Sequence, residues 1–343
     1  MATAEHIVAL GAAPPDGDRA DHKSRRRLNV AARFAALMVP GALRTGPCSA
    51  ARLAIAVLLL AGASLIVGCQ GTTQLAANRS PLWRQGMAVQ LYSFHRELDR
   101  DLPTTLRRIK ALGFDRVETY PVKDVSAAQL RAALDAAGLQ AVSAHMPWDR
   151  IRSDIGGVIA DVRTLGADQF GPGSIALFDG RPFRPMSAQE ADEVGADLKR
   201  ACAAARSRGL RVFIHTHGNE FGRIGGSTGL DRMLSAADHC FEIEADLAWV
   251  RWAGIDPAAF IRRYGTRVSS LHVKDIAGLA IGRDFGSLDR TSFPVLGKGS
   301  IAWPEVMREA RAAGVRYYVI EDESGDAAGQ IPGSLAYLDR VSN

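Results

Sequence analysis

The chain predicts a single (β/α)8 TIM barrel preceded by a lipoprotein signal peptide. Three observations predict the barrel. A helix-periodic stretch ends in glycine and runs at once into a short apolar strand six times over: "IKALGFDRVETY", "LDAAGLQAVSAH", "VRTLGADQF", "ARSRGLRVFIHTH", "IRRYGTRVSSLHVKD" and "MREARAAGVRYYVIED". "GMAVQLYSFH" at the front and "FEIEADLAWV" between the fifth and seventh bring the strands to eight. Strands alternating with helices mean a parallel sheet, and eight such units in roughly 250 residues suit a closed barrel. No Gly-x-Gly-x-x-Gly follows the first strand, which disfavours a doubly wound open sheet.

Each element follows from local chemistry. Gly113, Gly138, Gly166, Gly209, Gly265 and Gly314 stand where helix C-termini need a left-handed residue. The fourth unit reads worst: "DQFGPGSIALF" is a poor strand, and the chain wanders to Ser187 before its helix begins.

The other end of the chain is built differently. Arg52 is followed by an apolar run, Leu53 to Val67, shorter than the roughly 20 residues of a membrane span but suited to a signal-peptide core. It stops at Ile66-Val67-Gly68-Cys69, which resembles a bacterial lipobox with Cys69 as the lipidated residue. An uncleaved signal anchor is the alternative. Gln70 after the cysteine favours the outer membrane in such signals. Residues 1–37 place the chain start too far from the apolar run, and Met38 is the better start. The expected organisation is a leader and signal peptide over 1–68, a linker over 69–80 and the barrel over 81–343. The location expected is the cell envelope, on the outer membrane facing the periplasm, with the lipid anchor as the contact with membrane.

Of the 42 Lys+Arg and 37 Asp+Glu, 8 and 4 lie in residues 1–68, leaving 34 against 33. The folded part has no basic excess for nucleic acid. Cys202 and Cys240 lie in a helical and a strand-like segment. A disulfide is open to them in an oxidising compartment, but two buried free thiols are the expectation.

In a barrel of this kind the site gathers at the C-terminal strand ends. Alternation along each strand puts a polar residue inward there, opposite an apolar outer face. Strand one offers Gln90, strand two Glu118, strand three His145 and strand five His215 and His217. Strand six offers Glu244 and Asp246, strand seven His272 and Lys274, strand eight Glu321 and Glu323. A solvated tip explains any one of these, but not seven strands in the same phase. Buried charges need partners or a metal, and mixed imidazole and carboxylate suits one divalent Mn, Zn, Co or Fe ion.

The stretches "GMAVQLYSFHREL", "VETYP", "AVSAHMP", "HTHGNEF", "EADLAWV", "LHVKD", "LGKGSIAW" and "YYVIEDES" resemble, in order, the sugar phosphate isomerase/epimerase family of xylose-isomerase-like barrels. The resemblance implies a single metal held by His215, Asp246, His272 and Glu321. Many epimerases of this fold carry glutamate where this chain has His215, as does a subgroup with His-x-His on strand five. That departure puts a two-carboxylate proton relay in doubt and leaves His145, Glu118 and Lys274 as acid/base candidates. Gln90, His217 and Trp249 are expected to contact substrate.

The expected chemistry is an enediolate formed from a metal-chelated hydroxy-ketone, then reprotonated (isomerase or epimerase) or relieved by β-elimination (lyase or dehydratase). Envelope location and the lack of a Walker-type loop favour a neutral sugar, keto-sugar or glycoside. A non-catalytic sugar-binding lipoprotein is a further reading. An endonuclease IV-like nuclease is disfavoured, because its three-metal site needs histidines that Trp249 and the neighbourhood of His272 do not supply.

Overall fold

A computed structural model describes residues 82–175, 184–277 and 290–342. The expectations for the leader, Met38, Cys69 and the linker lie outside the described residues. Eight parallel strands close into a barrel: β1 (Met87–Gln90), β2 (Arg116–Thr119), β3 (Gln140–Met146), β4 (Gln169–Pro172), β5 (Arg211–His215), β6 (Glu242–Asp246), β7 (Val268–Val273) and β8 (Tyr317–Ile320). β1 pairs with both β2 and β8, which shuts the ring. A two-stranded ribbon, Arg223–Ile224 with Ser227–Thr228, decorates the segment after β5. Among the described residues no helix is long and apolar enough to cross a membrane.

The glycine punctuation is as the sequence implies: all six helix-ending glycines have positive φ, from 53° at Gly265 to 96° at Gly113. The fourth strand, which reads as poor, is as long as β1, β2 and β8, and its glycine has a packing reason. A Cβ at Gly171 would stand 2.3 Å from the Phe213 carbonyl oxygen and 2.5 Å from its ring. Glycine there admits the fully buried Phe213 side chain beside β4, at the cost of strand propensity. The long helix after β4, Ala188–Arg206, starts at a capping box in which Ser187 and Glu190 satisfy each other's backbone N–H groups.

Two irregularities interrupt the sheet. The β2–β3 register shifts between Val117 and Glu118, and the β6–β7 register shifts between Ile243 and Glu244. Bulges re-aim the next side chain. Here each one immediately precedes an interior glutamate.

One expectation is corrected. Cys202 and Cys240 form a disulfide, with Cα atoms 6.2 Å apart. Cys202 lies in the Ala188–Arg206 helix and Cys240 just before β6, and nothing local relates the two. Periodicity does not reveal that the helix passes beside the start of β6, which brings the pair within bonding reach. Closing a loop of 38 residues should stabilise the barrel by about 2–4 kcal/mol. The Cys202→Ser/Cys240→Ser variant should therefore unfold at lower denaturant, and reduced wild type should match it. Free thiols at both Cys202 and Cys240 in unreduced protein, located by alkylation and peptide mapping, would contradict the bond.

Candidate active site

The C-terminal strand ends carry a two-layer polar cluster. The lower layer is centred on two carboxylates with no solvent exposure, Glu118 and Glu244. Glu118 Oε1 accepts from Gln90 Nε2 and His272 Nε2, each at 2.7 Å. Glu244 Oε1 lies 2.7 Å from His145 Nε2, 3.1 Å from His215 Nδ1 and 3.2 Å from His272 Nε2. Its other oxygen accepts from Ser270 Oγ at 2.9 Å. Two bulge-directed glutamates thus hold three imidazoles by their inner nitrogens.

The upper layer consists of what those imidazoles leave free and what the neighbouring strand ends add. His215 Nε2 and His272 Nδ1 each lie 3.9 Å from Asp246 Oδ2, and His272 Nδ1 lies 3.0 Å from Glu321 Oε2. Asp246 divides its oxygens. Oδ1 caps the helix Leu247–Trp252 through Ala248 N and Trp249 N, at 2.9 and 3.2 Å. Oδ2 is buried without a well-directed hydrogen bond and stands 2.9 Å from Lys274 Nζ. The same ammonium is 2.7 Å from Glu321 Oε2 and 2.5 Å from Glu323 Oε1.

The electrostatics follow from burial and these partners. Burial, partly offset by Lys274, pushes the Asp246 carboxyl up to about 6. Burial also acts to raise Glu321, but Lys274 and His272 outweigh it and hold that carboxyl well below the usual range. His215 is driven far down by burial and by His272, so it is a neutral imidazole with a lone pair to offer. Burial and the nearby Lys274 ammonium bring His217 down to about 3. Lys274 is lifted by Asp246, Glu321 and Glu323 despite its burial.

Asp246, His272 and Glu321 bring ligand atoms within 4.8 Å of one another above the glutamate layer, and His215 Nε2 stands 3.9 Å from Asp246 Oδ2 beside them. Their donor set suits a first-row divalent cation. Glu118, Glu244, Asp246, Glu321 and Glu323 crowd one ammonium and three imidazoles, and the orphaned Asp246 Oδ2 faces the shared space. Four of these carboxylates are buried and Glu323 is partly open, and a cation relieves such crowding of negative charge. The residues fit a metal.

A cavity of about 600 Å³ opens over this cluster. His145, His215, His217, Trp249, Glu321 and Glu323 line it. His217 lies beyond the end of β5 yet keeps the phase of His215, with the ring centroids 4.5 Å apart. Of the expected site residues, Gln90, Glu118, Asp246, His272 and Lys274 are buried and do not line the cavity. Gln90 and Glu118 lie in the lower layer, against imidazoles. His145 borders the cavity by its ring, but its nitrogens are engaged. The Gln90 amide accepts from Tyr92 N at Oε1 and donates from Nε2 to Glu118, which fixes its orientation. Burial acts to lower His145, but Glu118 and Glu244 outweigh it and raise the ring to about 9. With Nε2 2.7 Å from Glu244 and Nδ1 3.2 Å from Gln90 Nε2, neither nitrogen is free for substrate.

Two residues do structural work here for which the sequence gives no local signal. Alternation places Glu244 inward, but nothing in one chain shows that it serves three histidines. Asp275 ends the "LHVKD" stretch. Its carboxylate accepts from Gly297 N and Trp303 Nε1, both at 2.9 Å, and from Gly299 N at 3.2 Å. A Cβ at Gly299 would lie 2.1 Å from Asp275 Oδ1, which explains the glycine in "LGKGSIAW". Those two stretches form one clamp behind Lys274.

No curated protein matches the chain. Among solved structures, a sugar phosphate isomerase/epimerase from Parabacteroides distasonis is 20% identical with a TM-score of 0.59, over 74% of this chain and 93% of that one. A probable 3-DHS dehydratase from Bacillus anthracis is 13% identical at a TM-score of 0.57, covering 74% and 98%. A D-allulose 3-epimerase from Methylomonas sp. is 10% identical at 0.58, covering 77% and 100%. At these identities the likeness is one of fold. The family described as xylose isomerase-like TIM barrel matches residues 106–341, so the chain belongs to the xylose isomerase-like TIM barrel family.

Proposed function

We propose that this protein is a divalent-metal-dependent enzyme of the sugar isomerase/epimerase type, acting on a neutral sugar or keto-sugar through an enediolate. The observation that carries the reading is the meeting of His215, Asp246, His272 and Glu321 over carboxylates that fix the inner nitrogens of both imidazoles. A metal-ligating histidine whose other nitrogen is held by a carboxylate is the arrangement that sets ring orientation and basicity. The relatives of similar fold include isomerases, epimerases and a dehydratase, which supports sugar-type chemistry without choosing among outcomes.

His215, Asp246, His272 and Glu321 would hold the divalent ion, which would supply Lewis acidity at the cavity floor. The chain's own groups do the rest. Glu323 is the cavity-lining carboxylate outside the ligand set, and its side chain is 31% exposed. It is the proton acceptor this geometry favours, in place of His145, whose two nitrogens are engaged by Gln90 and Glu244. Lys274, fixed among three carboxylates, offers positive charge to an oxygen that becomes negative or departs. His217 and Trp249, with ring centroids 5.6 Å apart, shape the cavity wall and orient the sugar.

A lyase acting on a 3-keto-glycoside is the second reading, because a single base beside an ammonium suffices for elimination. The disulfide supports an oxidising compartment and with it the envelope location and lipidation of Cys69. Absence of lipid labelling at Cys69 in a bacterial host would remove the anchor from this reading.

Asp246→Ala and Glu321→Ala should each abolish metal retention while leaving the far-UV circular dichroism of the barrel intact. Glu244→Gln should keep the fold but weaken metal affinity about 10–100-fold, since it frees the inner nitrogens that its charge holds. Unchanged metal binding in any of the three would delete that residue from the account.

Glu323→Gln should lower turnover about 10²–10⁴-fold with metal and substrate still bound. The readout is NMR of metal-loaded enzyme and 3-keto-glycosides in deuterated water. Deuterium in recovered substrate or its epimer marks isomerase chemistry, and loss of the aglycone marks the lyase. Full turnover by Glu323→Gln alongside collapse in His145→Ala would return the base to His145.

A further inference from the structure

The cavity has two chemically different halves. On the side of β5 to β8 it is imidazole and carboxylate. On the side of β1 to β3, beyond His145 and Met146 at the end of β3, its wall is Tyr92, Tyr120, Pro121, Pro147 and Trp148, whose ionisable groups are two phenols. These residues sit just past the strand ends, so three successive loops contribute to one apolar face.

Tyr92 is the informative member. At 43% exposure it is the one exposed large hydrophobic side chain among the described residues. It is also fixed. Its ring stacks on His95 with centroids 4.6 Å apart and planes at 13°, and it meets Tyr120 edge-on at 5.4 Å and 87°. Trp148, on the same cavity wall, is 5% exposed. A rigid aromatic platform left open to a cavity is how proteins present a flat apolar surface to a ring. Between the halves the way is clear, because Gly173 lines the cavity where a Cβ would come within 3.0 Å of His145 Nδ1.

Size and charge narrow the occupant. About 600 Å³ is mid-range for pockets that enclose ligands of roughly 300–1,000 Å³, more than a lone sugar ring over the ligand cluster would fill. Among the described residues lining the cavity none is Lys or Arg, and Glu321 and Glu323 face into it. Lys274 is already committed to Asp246, Glu321 and Glu323. A phosphate needs an arginine fork or a nest of backbone N–H groups, and the described wall offers it carboxylates.

We propose that Tyr92, Tyr120 and Trp148 form a subsite for the flat face of a second ring joined to the reacting sugar, so that the substrate is an uncharged glycoside. The second ring is a sugar or an aryl group, since both present an apolar face. The inference rests on the sugar-site reading above and adds to it a place for the aglycone.

The test is calorimetric titration of the full chain with methyl β-D-glucoside, phenyl β-D-glucoside, methyl β-cellobioside and glucose 6-phosphate, with phenol as a control. The phenyl glucoside, the cellobioside or both should bind on the order of tenfold more tightly than the methyl glucoside, and glucose 6-phosphate more weakly than any of them. A gain confined to the phenyl ligand identifies an aryl aglycone, and a gain for the cellobioside identifies a second sugar. Tyr92→Ala, at a half-open position that folding tolerates, should erase the gain, and Tyr92→Phe should keep it. Equal binding of the three glucosides overturns the subsite and leaves the sugar reading standing. Tightest binding of glucose 6-phosphate overturns the uncharged substrate. Phenol binding with no binding of any sugar overturns the sugar reading and the subsite together.

Discussion

Everything at the mouth of this barrel depends on two carboxylates that never meet solvent. Glu118 and Glu244 have no exposed surface, and between them they hold His145, His215 and His272 at hydrogen-bond distance. An unpaired carboxylate at that depth would be costly, and so would an unpaired imidazolium. Set against each other they are tolerable, and the pairing decides which nitrogen of each ring faces upward. Remove that layer and the upper groups, Asp246 and Glu321 included, lose the imidazoles they converge with.

The backbone is arranged for this layer. Both register shifts in the barrel fall immediately before its two glutamates. A regular ladder would aim Glu118 and Glu244 by strict alternation alone. The bulges turn them so that several histidines from other strands share one oxygen. Asp246 extends the same economy upward: one oxygen terminates a short helix that carries Trp249 into the cavity wall, and the other is left for the cluster.

Much of this is legible in the sequence. The glycine-ended helices and eight apolar runs prescribe the barrel, because a left-handed residue at each helix end and a period of two along each strand are local properties. The same period finds every side chain of the cluster. What it cannot tell is depth. Gln90 and Glu118 share the inward phase of His217 and Glu321, yet they lie one layer lower, since depth depends on stagger between strands far apart in the chain. The Cys202–Cys240 bond escapes a sequence reading for a related reason: it depends on where one helix passes another strand, which no local pattern records. The fourth strand reads as weak yet is as long as β1, β2 and β8 and pairs on both sides, and the reason for its glycine, room for Phe213, is a tertiary contact.

The central claim is that four residues hold one cation by nitrogens and oxygens that the buried glutamates have oriented. X-ray absorption spectroscopy on the purified, metal-loaded protein tests it most directly. The account predicts about one first-row metal per chain with two imidazoles and carboxylate oxygens in its shell, and loss of imidazole scattering in His272→Ala. No stoichiometric metal, or a shell without imidazole, would contradict it.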